Sequence, residues 1–329
     1  MKAMRFSGVG QPLRLETVPD PEPGPGWAVV DIEAAGLCHS DLHILAGMEL
    51  GDLTVSTPLT LGHEGAGVIS ALGPDVEDFT VGDRVGIALM VHPVGAMDFA
   101  PGVGCDGAFA EKQLVRASAL VPIPDGVSFA QAAVATDSVV TAYHAVRTAA
   151  AVRPGQSVAV IGLGGLGLNA VHVAVHLGAR VYGVDPNPDA RAAAQQAGAA
   201  VCWPDACALS AHPPDVVLDF VGTQETAHHA LNAVREGGRV VLVGLSEAVL
   251  PLPLASLVTR NIHLTGSLGA SKDELREVYD LIARGALTPS VSEVPFTELP
   301  SALGRLARGD VQGRLYTRPR ARKPHAMAV

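Results

Sequence analysis

The sequence is short of cysteine, of aromatic residues and of positive charge, and these shortages exclude several classes of protein. The four cysteines among 329 residues form no recognisable disulfide framework, and so we expect reduced thiols. Lys and Arg number 23 against 33 Asp and Glu, which gives a formal net charge of -10. Nucleic acid and anionic membrane surfaces are therefore not expected as the main partner, because binding phosphate requires clustered positive charge. A small-molecule substrate is the better expectation.

Long apolar runs are also missing. No run reaches the roughly 18 consecutive apolar residues of a membrane-spanning helix, and the first residues, MKAMRFSGVG, lack the apolar region of a signal peptide. We therefore expect a cytoplasmic protein without a membrane partner. The chain does have 48% hydrophobic residues against 17% charged residues, enough to bury large cores. Its length predicts about two domains.

The two halves of the chain carry different patterns. Residues 27–89 contain short β-rich runs cut by Gly and Pro, which is typical of an all-β unit. From Gly155 onward, apolar runs alternate with Ala-rich stretches, which favours a doubly wound parallel sheet; the runs are SVAVIG, RVYGVD, DVVLDFVG, RVVLVG and IHLTGS. Residues 271–284 predict a helix that begins with the capping-box pair Ser271 and Glu274. Residues 285–317 are predicted to be short and strand-like again, returning the chain to the first domain.

A glycine-rich turn between a predicted strand and a predicted helix marks a candidate dinucleotide site. Its residues are Gly162, Gly164, Gly165, Leu166 and Gly167. The first glycine permits the tight turn, the second lets a pyrophosphate approach the backbone, and the last lets helix and strand pack closely. Glycine-rich turns also occur without a ligand, but the flanking strand, the helix and a downstream acid together favour dinucleotide binding.

That acid, Asp185, predicts which dinucleotide is preferred. It follows the next predicted strand, where its carboxylate would accept hydrogen bonds from the adenosine ribose hydroxyls and repel a 2'-phosphate. The next three residues, PNP, offer no cation that could bind such a phosphate. NAD(H) is therefore expected over NADP(H), and Arg191 is the residue that argues against this preference.

Candidate metal donors occur in three separate segments. Cys38 lies in GLCHSD, His63 and Glu64 lie in LGHEG, and Asp137 lies in VATDSV. Cys, His and a carboxylate are donors that a catalytic Zn²⁺ takes, with the last position left for water or substrate. A lone Cys is otherwise a small buried hydrophobe, and Asp137 could be a buried structural carboxylate. Spacing alone does not bring the three segments together.

Cys38-His-Ser-Asp, Gly62-His63-Glu64 and the downstream nucleotide pattern together resemble the zinc-dependent alcohol dehydrogenases of the medium-chain dehydrogenase/reductase family. The resemblance covers nearly the whole chain, and the ligand pattern is closest to bacterial secondary-alcohol dehydrogenases with a Cys/His/Asp zinc site. It implies an α/β fold with a GroES-like β-rich catalytic domain over residues 1–145, completed by residues 285–329. The remaining residues, 146–284, would form a Rossmann NAD-binding domain with a doubly wound parallel sheet.

The resemblance implies how the donors are used. Cys38 and His63 are expected to bind zinc, and Asp137 occupies the position where some bacterial members have Asp as the third ligand. Glu64 would be a nearby carboxylate that approaches the metal when water or substrate exchanges. Asp41 would either orient His63 or cap the turn after Cys38.

One catalytic zinc per chain is expected, without a structural zinc. Many relatives hold a second zinc in a lobe with four cysteines, whereas this chain has Cys105 with only His92 in support. One soft ligand cannot build a closed tetrahedral site. Cys202 and Cys207 are expected to be structural, because no nearby His or second Cys pair accompanies them.

The resemblance also implies a proton path and cofactor contacts. Ser40 and His43 match a hydroxyl and a His that pass the alcohol proton outward by way of a cofactor ribose hydroxyl. Taken alone, Ser40 could equally cap a helix and His43 could be a surface residue. His39 and Arg314 match pyrophosphate contacts, and Thr141 would pack on the nicotinamide.

The function implied is hydride transfer between an alcohol and NAD⁺, with reduction of an aldehyde or ketone in the reverse direction. The metal would stabilise the alkoxide form of the alcohol, which is the better hydride donor. Two alternatives stay open: a zinc-free NAD(P)H-dependent quinone or enone reductase of the same family, and a non-catalytic NAD-binding protein. A homodimer or homotetramer is expected.

Overall fold

The computed structural model describes residues 1–47, 57–89 and 100–320. Contacts between Cα atoms divide the chain into two compact units, one formed by Met1–Thr136 with the residues from Val291 onward and the other by Asp137–Ser290. In the first unit the strands up to residue 122 are β1 (Lys2–Phe6), β2 (Arg14–Thr17), β3 (Trp27–Gly36), β4 (Leu59–Thr60), β5 (Glu64–Leu72), β6 (Arg84–Ile87), β7 (Lys112–Arg116) and β8 (Leu120–Pro122). The later strands of this unit are β15 (Val291–Val294) and β16 (Arg314–Thr317). The β-rich character predicted for residues 27–89 is therefore confirmed.

Strand β3 organises the larger sheet of the first unit. This sheet has the order β15-β16-β3-β5-β6-β8, with β7 also paired to β3, and a smaller sheet has the order β2-β1-β4. Most side chains of β3 are buried, and its backbone pairs with neighbouring strands along both edges. At its carboxyl end, Gly36 pairs with Glu64 of β5 on one side and with Tyr316 of β16 on the other. The ends of three strands thus meet where the candidate metal donors lie.

Among the described residues, the α-helices of the first unit are α1 (His39–Leu45), α2 (Phe129–Val134) and α9 (Leu299–Ala307). Helix α9 corrects the prediction that residues 285–317 are all strand-like. Leu299, Leu303 and Leu306 recur at helical spacing and are all buried, so one face of this segment packs into the core. Short apolar stretches are ambiguous between strand and helix, and the strands on either side favoured the wrong alternative.

The second unit is a six-stranded, entirely parallel sheet of the order β11-β10-β9-β12-β13-β14. Its strands are β9 (Ser157–Ile161), β10 (Arg180–Val184), β11 (Val201–Trp203), β12 (Val216–Asp219), β13 (Arg239–Leu242) and β14 (His263–Gly266). The five predicted runs form β9, β10, β12, β13 and β14, and the doubly wound parallel sheet is confirmed. Strand β11 was not predicted, because this half-buried edge strand of three residues has no continuous buried run.

The helices of the second unit are α3 (Val140–Tyr143), α4 (Gly165–His176), α5 (Pro188–Gln196), α6 (Gln224–Ala233), α7 (Leu254–Thr259) and α8 (Lys272–Ala283). Helix α8 begins as predicted, with the Ser271 hydroxyl accepting from the Glu274 backbone N–H and the Glu274 carboxylate accepting from that of Ser271. In the described part of the chain, no helix combines the length and the apolar character needed to cross a membrane.

The division between the two units falls inside one helical segment, residues 129–149. Helix α2 is followed by a π-helical turn at Ala135–Val139, then by α3 and by a second π-helical turn at His144–Ala149. Asp137 is the first residue of the second unit. It lies in the helical segment that begins with α2 in the first unit. The sequence places the domain boundaries at 145/146 and 284/285 instead.

Candidate active site

Four buried side chains bring candidate metal donors together. One ligand atom from each of Cys38, His63, Glu64 and Asp137 can be chosen so that all four atoms lie within 4.8 Å of one another. Cys38 is the N-cap residue of α1, His63 immediately precedes β5, and Glu64 is the first residue of that strand. The three segments named from the sequence thus meet at one place, and all four side chains are largely withdrawn from solvent.

Asp41 holds Cys38 and His63 in position. Its Oδ2 atom accepts a hydrogen bond from the Cys38 backbone N–H at 3.0 Å, and its Oδ1 atom accepts one from Gly62 at 3.3 Å. The same Oδ1 lies 3.4 Å from Nδ1 of His63, and the Asp41 side chain is fully buried. The Asp41 carboxylate thus belongs to the cap of α1 and also faces the imidazole of His63, and its role in orienting that ring stays a prediction. With Nδ1 facing Asp41, Nε2 is the ring nitrogen of His63 that would bind a metal.

Asp137 lies in the π-helical turn at Ala135–Val139. Turns of this kind are uncommon and are found frequently at functional sites. The hydroxyl of Thr141 donates a hydrogen bond to Asp137 Oδ1 at 3.0 Å, and both residues are buried. The carboxylate is thereby oriented from one turn further along the same helical segment.

Glu64 forms a buried ion pair with Arg314. Nε of Arg314 lies 3.2 Å from Oε2 of Glu64, and Nη2 contacts Oε1. Gly36 lies on the strand between them, and a Cβ added to it would be only 1.8 Å from Oε2 of Glu64. A glycine is required there because the Glu64 carboxylate occupies the space above the backbone. The Arg314 side chain is buried as well, with 3% of its surface exposed. Its expected role as a pyrophosphate contact stays a prediction.

The proposed relay residues lie on α1, beside the donor group. Oγ of Ser40 is 3.5 Å from Sγ of Cys38. The N-cap residue of α1 is Cys38 and not Ser40. The alternative in which Ser40 caps this helix is therefore wrong. His43 is half-buried, and burial lowers the pKa of its imidazole. Burial also lowers the pKa of His39, and the positive charge of Arg314 lowers it further.

The glycine-rich turn joins β9 to α4 as predicted. Gly162 has a φ of 82°, in the region that favours glycine, and a Cβ on Gly167 would meet the Gly162 carbonyl oxygen at 1.7 Å. Gly164 is the N-cap of α4 and has open space where a Cβ would lie. Gly165 and Leu166 form the first positions of the helix, so their backbone N–H groups are available at its N-terminus. This open, backbone-lined turn suits a pyrophosphate.

Asp185 is held at the end of β10 by two backbone hydrogen bonds. Oδ2 accepts from Leu163 and Oδ1 accepts from Asn187, both at 2.8 Å. Arg191, the residue that argued for a 2'-phosphate, donates from Nη1 to the carbonyl oxygens of Asp185 and Pro186 at 2.8 and 2.9 Å. Its guanidinium is thus bonded to the main chain beside the carboxylate.

The donor set fits Zn²⁺. A thiolate, an imidazole and carboxylates are its usual protein ligands. Placing four ionisable side chains in a buried cluster is costly unless a cation offsets their charge. The glycine turn with Asp185 at the neighbouring strand end likewise fits a dinucleotide.

The expectation that Cys207 is structural rested on the absence of a nearby His, and the fold does not support that reason. Cys207 does have a histidine beside it, because its Sγ lies 3.5 Å from Nδ1 of His229. The two residues are 22 positions apart, and only the packing of α6 against the 3₁₀ turn at Ala206–Ala211 brings them together. No local sequence signal marked the pair. His92, named as the partner of Cys105, lies outside the described residues.

Comparison with known proteins identifies the family. Residues 24–125 match the family model described as the alcohol dehydrogenase GroES-like domain, and residues 165–284 match that of the zinc-binding dehydrogenases. An alcohol dehydrogenase of Geobacillus stearothermophilus is 32% identical over 340 residues, covering 96% of this chain and 98% of that protein.

Solved structures agree with this match. Acetophenone reductase from Geotrichum candidum, solved in complex with NAD, has a TM-score of 0.88 at 33% identity, with 96% of each chain covered. The alcohol dehydrogenase of Aeropyrum pernix has a TM-score of 0.90 at 30% identity, covering 97% of this chain and all of that one (100%). The chain therefore belongs to the zinc-dependent alcohol dehydrogenases of the medium-chain dehydrogenase/reductase family.

Proposed function

We propose that this protein transfers a hydride between an alcohol and NAD⁺, and reduces the corresponding aldehyde or ketone in reverse, at the Cys38, His63 and Asp137 centre. The observation that supports this most directly is the gathering of four buried donors from three chain segments. When bound there, Zn²⁺ supplies Lewis-acid chemistry to the alcohol or carbonyl oxygen.

The residues of the proposed metal centre have different roles. Cys38, His63 and Asp137 supply one sulfur, one nitrogen and one oxygen donor, which leaves a position for substrate. Asp41 fixes the orientation of the His63 ring through Nδ1. Glu64 is a further carboxylate near the centre, and its ion pair with Arg314 offsets its negative charge.

Ser40 and His43 are proposed to move the proton of the alcohol. The Ser40 hydroxyl lies close to Cys38 and can accept a proton and donate its own. His43 follows one helical turn after His39, half-buried, and burial favours its neutral imidazole. A neutral imidazole can accept the proton that the alcohol loses, and this is the function expected of a general base.

The cofactor is proposed to bind along the glycine turn. The backbone N–H groups near Gly164 and Gly165 would donate to the pyrophosphate, and Leu166 lies in the same first turn of α4. Asp185 would accept hydrogen bonds from the ribose hydroxyls, which supports a preference for NAD(H). His39, Arg314 and Thr141 are proposed as further contacts to the pyrophosphate and the nicotinamide. We propose residues 1–145 with 285–329 as the catalytic domain and 146–284 as the NAD-binding domain.

Metal analysis together with activity tests this function. The wild type should contain one tightly held zinc per chain and oxidise members of a broad alcohol panel with NAD⁺. Cys38→Ala and His63→Ala should lose both the zinc and the activity, because each removes a ligand. Cys105→Ala is the matched control, since it removes a partly buried thiol from the same unit and should retain both.

Two outcomes would reject the proposal. A zinc content well below one in active wild type would favour a zinc-free quinone or enone reductase, whose chemistry needs no Lewis acid. Zinc and NAD binding without hydride transfer on any alcohol, aldehyde or ketone would favour a non-catalytic NAD-binding protein.

A homodimer or homotetramer is proposed, with a second copy of this chain on the open edge of the parallel sheet. Strand β14 is the edge strand next to β13, and several exposed apolar side chains lie in the residues around it: Val249, Leu252, Leu254, Val258 and Leu268. Two such edges can pair about a twofold axis and cover each other. Val258→Glu should therefore yield monomers in analytical ultracentrifugation, whereas Val81→Glu, the same substitution at an exposed valine of the other unit, should not.

The cytoplasm is proposed as its location. All four cysteines are free thiols, and one of them is a proposed metal ligand that must stay reduced. Cell fractionation with an antibody to the chain should recover it with cytoplasmic marker enzymes.

A further inference from the structure

A second group of metal donors lies on the surface of the sheet-bearing unit, on residues that the proposed reaction does not use. One ligand atom each of Asp205, Cys207 and His229 can be chosen so that the three lie within 4.8 Å of one another. Asp205 and Cys207 belong to the 3₁₀ turn that follows β11, and His229 lies on α6. Sγ of Cys207 is 3.5 Å from Nδ1 of His229, so this contact joins the two elements.

Backbone hydrogen bonding positions Asp205 relative to Cys207 in this group. Asp205 is the N-cap of the 3₁₀ turn, and its Oδ1 accepts a hydrogen bond from the Cys207 backbone N–H at 2.7 Å. The carboxylate is thus fixed beside the thiol, where its oxygens can act as ligands of a cation. Two of the three donors are therefore placed by a single turn of the chain.

The charges around Cys207 suit a cation and do not suit a nucleophile. The carboxylates of Asp205 and Glu225 place negative charge near the Cys207 thiol, which repels a thiolate while no cation is bound. A reactive cysteine needs the opposite environment, in which nearby positive charge stabilises the thiolate. A bound divalent cation would reverse the effect, because it attracts the thiolate and both carboxylates.

The donor chemistry selects the metal. One sulfur, one imidazole nitrogen and one carboxylate oxygen match Zn²⁺ and its thiophilic analogues Cd²⁺ and Co²⁺, whereas Mg²⁺ and Ca²⁺ prefer oxygen alone. Glu225 lies one turn before His229 on α6 and is exposed, so it or a water can complete four-coordination.

We propose that Asp205, Cys207 and His229 form a second, solvent-exposed Zn²⁺ site, separate from the Cys38 centre, that joins the turn after β11 to α6. Since β11 is the short edge strand of the parallel sheet, a metal bridge at this point ties the end of the sheet to a helix packed on it. Metal bound only by the folded state stabilises that state by mass action. The site is therefore assigned a structural role.

The test is a titration of protein whose catalytic zinc is already in place. Added Cd²⁺ should bind as one further equivalent per chain, with the ultraviolet absorption band of a cadmium-thiolate bond, and added Zn²⁺ should protect one thiol from alkylation. Cys207→Ser should lose that equivalent and its band. Cys202→Ser is the control, since it removes a neighbouring cysteine outside the group and should bind normally. His229→Gln should weaken binding about tenfold or more.

Each result has a definite meaning. The site is rejected if wild-type protein binds no second equivalent, or if Cys207→Ser binds it as tightly as wild type with an unchanged band. Cys38→Ala separates this proposal from the proposed function, because it should lose the catalytic zinc and keep the second equivalent. Normal catalysis in Cys207→Ser, together with a lower melting temperature at saturating Zn²⁺, is the result expected of a structural site.

Discussion

Arg314 and Glu64 form an ion pair in which both partners are buried, with Nε of Arg314 3.2 Å from Oε2 of Glu64. The pair is possible because Gly36 on the strand between them has no side chain to occupy the space of the Glu64 carboxylate. Breaking a pair of this kind leaves a charge without compensation in the interior, which costs far more than the pair itself contributes.

Arg314→Met is therefore expected to lower the free energy of unfolding by about 3–5 kcal/mol. Arg308→Met is the control, because Arg308 pairs with Asp310 on the surface, with both side chains more than half exposed, and its loss should cost less than about 1 kcal/mol. Urea unfolding of the three proteins measures the difference. Equal losses in the two variants would show that the buried Glu64 carboxylate finds another partner.

Asp185→Ala tests how the cofactor is chosen. The substitution removes the acceptor that Leu163 and Asn187 share, together with the negative charge that would repel a 2'-phosphate. We expect the ratio of kcat/KM with NAD⁺ to that with NADP⁺ to fall about tenfold or more, the effect of one charged hydrogen bond. Asp189→Ala removes an exposed acid one turn away and should leave the ratio unchanged. If the ratio were unchanged in Asp185→Ala, a residue other than Asp185 would distinguish NAD⁺ from NADP⁺.

The sequence predicted the parts of the fold that depend on local pattern. Five of the parallel strands, the glycine turn and the capping box at Ser271 all follow from spacing and from residue types that have one favoured use. Strand β11 and helix α9 were missed because each is short and is positioned by its neighbours in space. Strand β11 has no continuous buried run, and α9 does have helical spacing but is a short apolar segment between two strands, where strand and helix are hard to tell apart.

The candidate site was predictable only in part, for the same reason. Cys38 and His63 stand in compact motifs, and their resemblance to a family could be seen directly. The buried partners that position the site are dispersed: Arg314 is 250 residues from Glu64, and Thr141 acts through a π-helical turn that no pattern marked. The contact of Cys207 with His229 was missed because it requires α6 to pack on a turn 22 residues earlier.

Because of Glu274, the stability of the second unit is expected to fall when the pH is lowered into the acid range. Burial alone would raise its pKa, but hydrogen bonds from His144, Thr148 and Ser271 outweigh this and lower the pKa to about 2 from an ordinary 4.5. Because the folded pKa is the lower one, the stabilisation is fully present above pH 4.5 and is lost as the pH falls from 4.5 towards 2. Glu274→Gln should cost about 2 kcal/mol near neutral pH and lose this part of the acid dependence. Asp273→Asn, an exposed acid in the same turn, should keep it.

His43→Ala tests the proton path. The neutral imidazole is the proposed acceptor of the alcohol proton, and burial lowers its pKa so that it stays neutral to lower pH. Alcohol oxidation should slow chiefly at low pH, where hydroxide cannot replace the missing base, and free imidazole added to the buffer should restore part of the rate. His176→Ala, at the exposed end of α4, should behave as wild type. A uniform loss at every pH, without rescue by imidazole, would argue for a structural role.

Thr141→Val separates the metal centre from the cofactor. The Thr141 hydroxyl donates to Asp137 Oδ1 at 3.0 Å, and valine has nearly the same shape without the hydroxyl. Because a ligand held by a hydrogen-bonded neighbour binds metal more tightly, we expect zinc affinity to fall about 10-fold to 100-fold when it is measured by chelator competition without NAD. Thr136→Val is the control from the same segment, since the Thr136 hydroxyl donates only to the Ala133 carbonyl at 2.7 Å among the contacts seen here. If Thr141→Val raised the KM for NAD⁺ and left zinc affinity intact, Asp137 would not depend on this hydroxyl, and packing on the nicotinamide would be the function of Thr141.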